Sequence, residues 1–158
     1  MRNSLAAFVL MLNATCSGCY LYTATAEFQP DPVVAKNVSR QEALDTFRRY
    51  IERCTSGTGG EIEKDPRGMN DRRVDNFGFS YKYRFGALTR THTWQYRQIE
   101  KAVIESFQSL GGRQFCVYLY DTTARRLDIL YFGSDKEAAH MTAEALTTLA
   151  VQDRKGAQ

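Results

Sequence analysis

The sequence predicts an α+β domain: a strongly bent antiparallel sheet closed by a C-terminal helix, with an additional amphipathic helix ahead of the sheet. Three observations predict it. Phe77, Phe79, Tyr81, Tyr83 and Phe85 recur at every second position with Gly78, Ser80, Lys82 and Arg84 between them, the period of a strand with one aromatic face. Phe115, Val117 and Leu119 alternate with Cys116, Tyr118 and Tyr120, and the polar connection Asp121 to Arg126 leads to a second run of β-formers, Leu127 to Phe132. Two such runs with a short polar link make an antiparallel hairpin. The hairpin feeds a helix in which Ala138, Met141, Ala145 and Leu149 share one face, with Leu146 at its margin.

A chain of 158 residues with 43% hydrophobic content is long enough for one domain with a proper core and short for two. The formal charge is +3; without residues 1–26, whose only charged side chain is Arg2, 20 basic residues face 18 acidic ones, or +2. That balance points to no polyanionic partner.

Taken in order, residues 1–26 read as a targeting segment. Arg2 supplies a positive start, and Leu5 to Leu12 supply eight apolar residues, too few to span a bilayer. Cys19, preceded by Ser17 and Gly18, resembles the lipidated cysteine of a bacterial lipoprotein. Ala24-Thr25-Ala26 is the competing site, for plain cleavage before Glu27. The first reading implies a protein anchored by lipid in the cell envelope and facing the periplasm, the second a secreted or soluble periplasmic one. Residues 27–38, with Pro30 and Pro32 and no periodicity, read as a linker.

The domain proper is expected over 39–151. Ser39 and Glu42 form a capping box, and Leu44, Phe47, Ile51 and Cys54, with Ala43 and Tyr50, make the apolar face of a helix over 39–54. The Gly-rich stretch from Thr55 to Gly60 ends it, and the sheet region runs over 61–133, beginning with at most a short strand at Glu61 to Lys64 in a polar segment that extends to Arg73. Residues 93–110 fit two patterns. Tyr96, Ile99, Val103, Phe107 and Leu110 make a helical stripe, while Ala102-Val103-Ile104 reads as strand. Gly133 ends the sheet, Ser134 with Glu137 forms the cap of a helix over 134–151, and 152–158 is a tail.

Tyr96-x-x-Ile99-x-x-Ala102-Val103, a Gly-rich turn, Phe115 to Tyr120, then Ile129 to Ser134 and a helix carrying Glu137-Ala-Ala and Ala145-Leu146-x-x-Leu149 together resemble the second half of bacterial pleckstrin-homology-like domains. The resemblance covers residues 96–150. It implies a roll whose end is plugged by the C-terminal helix, and it implies that the first of these pieces is a strand.

Chemistry-bearing residues are few. His92, in a Thr-rich linker between strands, and His140, on a helix, are the only two histidines, and neither has a metal-ligand partner at helical or C-x-x-C-like spacing, so no metal or cofactor is expected. Cys54 and Cys116 remain in the mature chain and would either pair as a disulfide in an oxidising envelope or stand as buried free thiols. Phe77-Gly78-Phe79 resembles the aromatic core of an RNA-recognition strand, but Asp75-Asn76 stands where that family has a basic residue and Gly, so five rings on one face read as core and no nucleic acid is expected. No catalytic residue is assigned. The function expected is a non-catalytic binding or structural module for a protein or lipid partner, the alternative being a small exported hydrolase or ligand-processing enzyme with a site near His92 and Cys116.

Overall fold

The computed structural model of the chain describes residues 25–32, 37–57, 67–85, 87–109 and 112–156. Cys19 and the strand expected at Glu61 to Lys64 lie outside these residues. The architecture is α+β. Eight strands, β1 (Thr25–Phe28), β2 (Ser56–Gly57), β3 (Arg67–Val74), β4 (Gly78–Phe85), β5 (Leu88–Gln95), β6 (Lys101–Ser109), β7 (Gly112–Tyr120) and β8 (Arg126–Gly133), are joined by α1 (Arg40–Ile51) and followed by α2 (Lys136–Lys155). Their spatial order is β1-β6-β7-β8-β2-β3-β4-β5, and every neighbouring pair is antiparallel. They make two antiparallel sheets that meet at β3. Register shifts interrupt the β1–β6, β3–β4 and β7–β8 ladders; each such bulge bends a strand and sharpens its twist.

Residues 101–109 are a strand, so the helical stripe in 93–110 loses to the β pattern. Ala102 and Ile104 pair with Leu119 and Val117 on the core face and are fully buried. Tyr96 belongs to a single 3-10 turn, Tyr96–Gln98, that redirects the chain between β5 and β6. His92, expected in a Thr-rich linker, lies in strand β5: Thr89, Thr91 and Thr93 are exposed, while His92 and Trp94 are half-buried on the other face. Strand β3 was hidden by its polarity. Met69 is buried and Val74 half-buried against the core, and the register breaks where Asp71 adopts a φ of 46°.

Ser39 caps α1, its hydroxyl accepting the Glu42 N–H at 3.1 Å. In α2 the cap is Asp135 and not Ser134: the Asp135 carboxylate accepts the Ala138 N–H at 3.0 Å. α2 also runs past 151 through residues expected as tail, because no breaker occurs before Gly156 and the last turn is held by pairs of Asp153 with Arg40 and of Arg154 with Glu100. The helix packs on α1, β6, β7, β8 and the 3-10 turn, which explains why Thr142, Thr147 and Thr148 are buried beside Ala143, Leu146 and Leu149. Met141, expected on the buried face, is only half-buried.

The N-terminal part of the body reaches further than the boundaries read from sequence. Thr25 and Ala26, at the end of the expected targeting segment, pair with Ser106 and Glu105 in β6, and Phe28, in the expected linker, stacks on His140 with ring centroids 4.6 Å apart. Pro30 is buried and the Gln152 side chain donates to the Val38 carbonyl at 2.7 Å. Among the described residues no helix is long and apolar enough to cross a membrane.

Candidate functional site

Asp75 organises the turn between β3 and β4. Its Oδ1 accepts the backbone N–H of Phe77 at 2.7 Å and of Gly78 at 2.9 Å, a side-chain mimic of a backbone turn. The main chain closes the rest: the Asp75 N–H donates to the Gly78 carbonyl and the Tyr96 N–H to the Phe77 carbonyl, each at 3.0 Å. A Cβ at Gly78 would lie 2.1 Å from the Trp94 carbonyl oxygen, so any side chain there would force the β5 backbone to shift. The backbone of Phe77 is thus held on both sides, while its side chain is 74% exposed. The sequence places Phe77 in the aromatic core; the structure corrects this, because the turn set by Asp75 and Asn76 takes Phe77 out of β4. Phe79, Tyr81 and Tyr83 are at most 3% exposed, as the period of two predicts.

Phe77 borders a groove of about 820 Å³ whose lining includes Arg40, Asn76, Gln95, Arg97 and Asp153. The adjoining structure is fixed by Tyr96, fully buried, whose hydroxyl donates to the Asp75 carbonyl at 3.2 Å. Burial, and then the Asp75 charge, push that hydroxyl well above the usual phenol range, so it stays a donor. The Arg40 guanidinium lies 5.9 Å from the centre of the Tyr96 ring, pairs with Asp153 at 2.7 Å and donates to the Asn76 carbonyl. One arginine therefore joins α1, α2 and the Phe77 turn. Arg97 is exposed at the rim, its Nε donating to the Gln95 side chain at 2.7 Å. An apolar ring, a guanidinium and amides can hold a ligand, and the one carboxylate among the lining residues, Asp153, is paired with Arg40.

A second constellation lies on the inner face of the sheet. Asp128, fully buried on β8, accepts the Tyr81 hydroxyl at 2.6 Å and the Trp94 indole N–H at 2.7 Å on one oxygen, and the Ile129 N–H at 2.7 Å on the other. Burial raises its pKa; those three bonds and the nearby His92 oppose the shift. His92 lies alongside, its Nε2 3.0 Å from the Tyr83 hydroxyl and its ring packed against Tyr81 and Trp94. Each of these polar side chains is thus bonded to another member of the cluster. Sequence reading passed over Asp128, although a carboxylate between Leu127 and Ile129 in an otherwise apolar strand is itself a signal.

The structure does not bring His92 and Cys116 together. Cys116 pairs across the ladders with Glu105 and Tyr131, on the sheet face opposite to the core residues Val117 and Leu119. Its thiol is held well above the usual range by burial first, then by Cys54 and Glu105, a state that disfavours a thiolate nucleophile. Cys54 and Cys116 are both buried and are not joined by a disulfide here. Among the described residues no group of three or more His, Cys, Asp or Glu side chains is placed to hold a metal ion. A smaller cleft of about 300 Å³ separates Phe28, Pro30 and Val38 from Glu144 and Thr148 on α2.

No family model, curated protein or solved structure matches this chain.

Proposed function

We propose that the chain is a non-catalytic binding module of the cell envelope, lipid-anchored through Cys19 and facing the periplasm, that engages a protein partner at the groove beside Phe77. The observation that carries the binding reading is the 74% exposed ring of Phe77, on a backbone held by hydrogen bonds on both sides, next to that groove. Large aromatic side chains carry much of the energy of protein interfaces. Arg97 at the rim selects the occupant: a protein segment that presents a carboxylate next to an apolar side chain, the first for the guanidinium and the second for the ring. Two further readings support this picture. The curvature that lets β5 and β8 meet through Trp94 and Asp128 fits a pleckstrin-homology-like roll with α2 plugging one end. Lipidation at Cys19 keeps β1 whole, whereas cleavage after Ala26 would remove two residues, Thr25 and Ala26, from its four.

The test is recovery of partners from detergent-solubilised envelopes by the full chain, compared with Phe77→Ala and Arg97→Glu. A partner retained by wild type and lost by both variants, at unchanged melting temperature, is the expected result. Equal recovery by all three chains would remove the groove from the interaction.

A further inference from the structure

The strand order and the length of chain ahead of β1 together fix which way such a domain faces on a membrane. β1 runs antiparallel to β6, with Thr25 opposite Ser106 and Phe28 opposite Ile104. The chain therefore enters the sheet at the end where β6 turns into β7. The same end carries the start of β7, whose Phe115 pairs with Gly133 at the end of β8, and the first turn of α2. The last turn of α1 is there too, since Arg53 pairs with Asp135 at 2.6 Å and with Glu137 at 3.3 Å. The Phe77 groove is at the other end. It is lined by Arg40 from the first turn of α1 and by Gln152, Asp153 and Gly156 from the end of α2. A helix of 20 residues separates the two ends by roughly 30 Å.

Six Cα–Cα steps connect Cys19 to Thr25, and even fully extended they reach at most about 21 Å. We infer that the end of the domain formed by the β6–β7 hairpin and the first turn of α2 rests on the bilayer surface, and that the Phe77 groove faces away from it. This rests on the reading of Cys19 as the lipid acceptor. Anchor and binding groove are thus at opposite ends of one rigid helix pair, so tethering leaves the groove open to a partner.

The experiment uses the full chain in its native membrane, then in vesicles of phosphatidylethanolamine and phosphatidylglycerol doped with a nitroxide-headgroup lipid. Mass spectrometry reads the modification of Cys19. A fluorophore is attached at Gln108→Cys, near the hairpin end, or at Thr122→Cys, in the exposed turn at the opposite end; Cys54 and Cys116 are buried and do not compete. Lipidated protein quenched several-fold more at position 108 than at 122 is the expected result. Inserting a roughly 30-residue Gly/Ser linker between Ala24 and Thr25 should lower quenching at 108 toward the level at 122. A chain that carries lipid on Cys19 yet is quenched equally at both positions, or more at 122, overturns the orientation and leaves the anchor standing. A chain without lipid on Cys19 overturns the anchor and the orientation with it.

Discussion

Trp94 on the edge strand β5 donates its indole N–H to Asp128 on β8 at 2.7 Å, although β2, β3 and β4 lie between those strands in the sheet order. Four steps across a flat sheet would separate them by about 19 Å. The inner faces of β5 and β8 therefore meet through the interior, and the Tyr81 hydroxyl joins the same carboxylate oxygen from β4 at 2.6 Å. Asp128→Ala would take this acceptor from the Tyr81 hydroxyl, the half-buried Trp94 indole N–H and the Ile129 N–H, at about 1 to 3 kcal/mol for each donor left buried and unsatisfied. The chain has one tryptophan, so its emission reports this site directly. The expected outcome is a lower denaturation midpoint together with an altered Trp94 spectrum; an unchanged midpoint would mean that the bond contributes nothing to the fold.

The pH dependence has a definite sign. Burial raises the pKa of Asp128 above its ordinary value of 3.8. Between that value and the folded-state pKa the native protein keeps a proton that the unfolded chain has lost, so this group's contribution to stability falls as pH rises through the window. Asp128→Asn cannot titrate. Denaturation midpoints of both chains from acid to neutral pH should converge on the acid side and diverge as pH rises, and parallel curves would contradict the shift.

Phe77 and Phe79 make a matched pair, two positions apart in one sequence pattern and opposite in environment. Phe79 is 3% exposed and packs edge-on against Phe47 at 5.1 Å between ring centroids. Phe79→Ala should cost about 3 to 5 kcal/mol, and Phe77→Ala less than about 0.5 kcal/mol. Thermal melts of the two variants decide it, and similar losses would return Phe77 to the core.

Gly78→Ala should destabilise by about 1 to 3 kcal/mol, since its Cβ would meet the Trp94 carbonyl, a backbone atom that cannot turn aside. Amide exchange should rise first at Phe77 and Tyr96, which share a main-chain bond. Exchange that is unchanged at both residues would show that the turn does not depend on that glycine.

These outcomes also mark where the sequence was legible. Strict alternation exposed β4 and β7, and a Ser-x-x-Glu cap exposed the start of α1, because each is a local signal that burial reinforces. β3 was missed since its apolar residues, Met69 and Val74, are separated by four polar ones, and its place in the sheet comes from backbone pairing that those polar side chains do not record. The segment after Tyr96 was ambiguous because apolar residues on both faces of β6, Val103 as well as Ala102 and Ile104, erase the period of two. The groove was illegible for another reason: Arg40, Phe77, Arg97 and Asp153 are brought together by packing of α1 against α2 and by the turn at Asp75.

The thiols give an independent check on the core. With Cys116 fully buried and its thiol pushed up by burial and by Cys54, alkylation at neutral pH should reach Cys54 and Cys116 only through unfolding. Isotope-coded labelling in rising denaturant should follow the unfolding curve at both residues. Fast labelling of the native chain would place either cysteine at the surface.

The most direct test of the binding account puts a photoreactive side chain in place of Phe77 in the full chain and crosslinks it in living cells, with the same residue at Thr122 as control. The account predicts one discrete protein adduct from position 77, absent from 122 and lost when Arg97→Glu is added. No adduct from 77, or the same adducts from both positions, would contradict it.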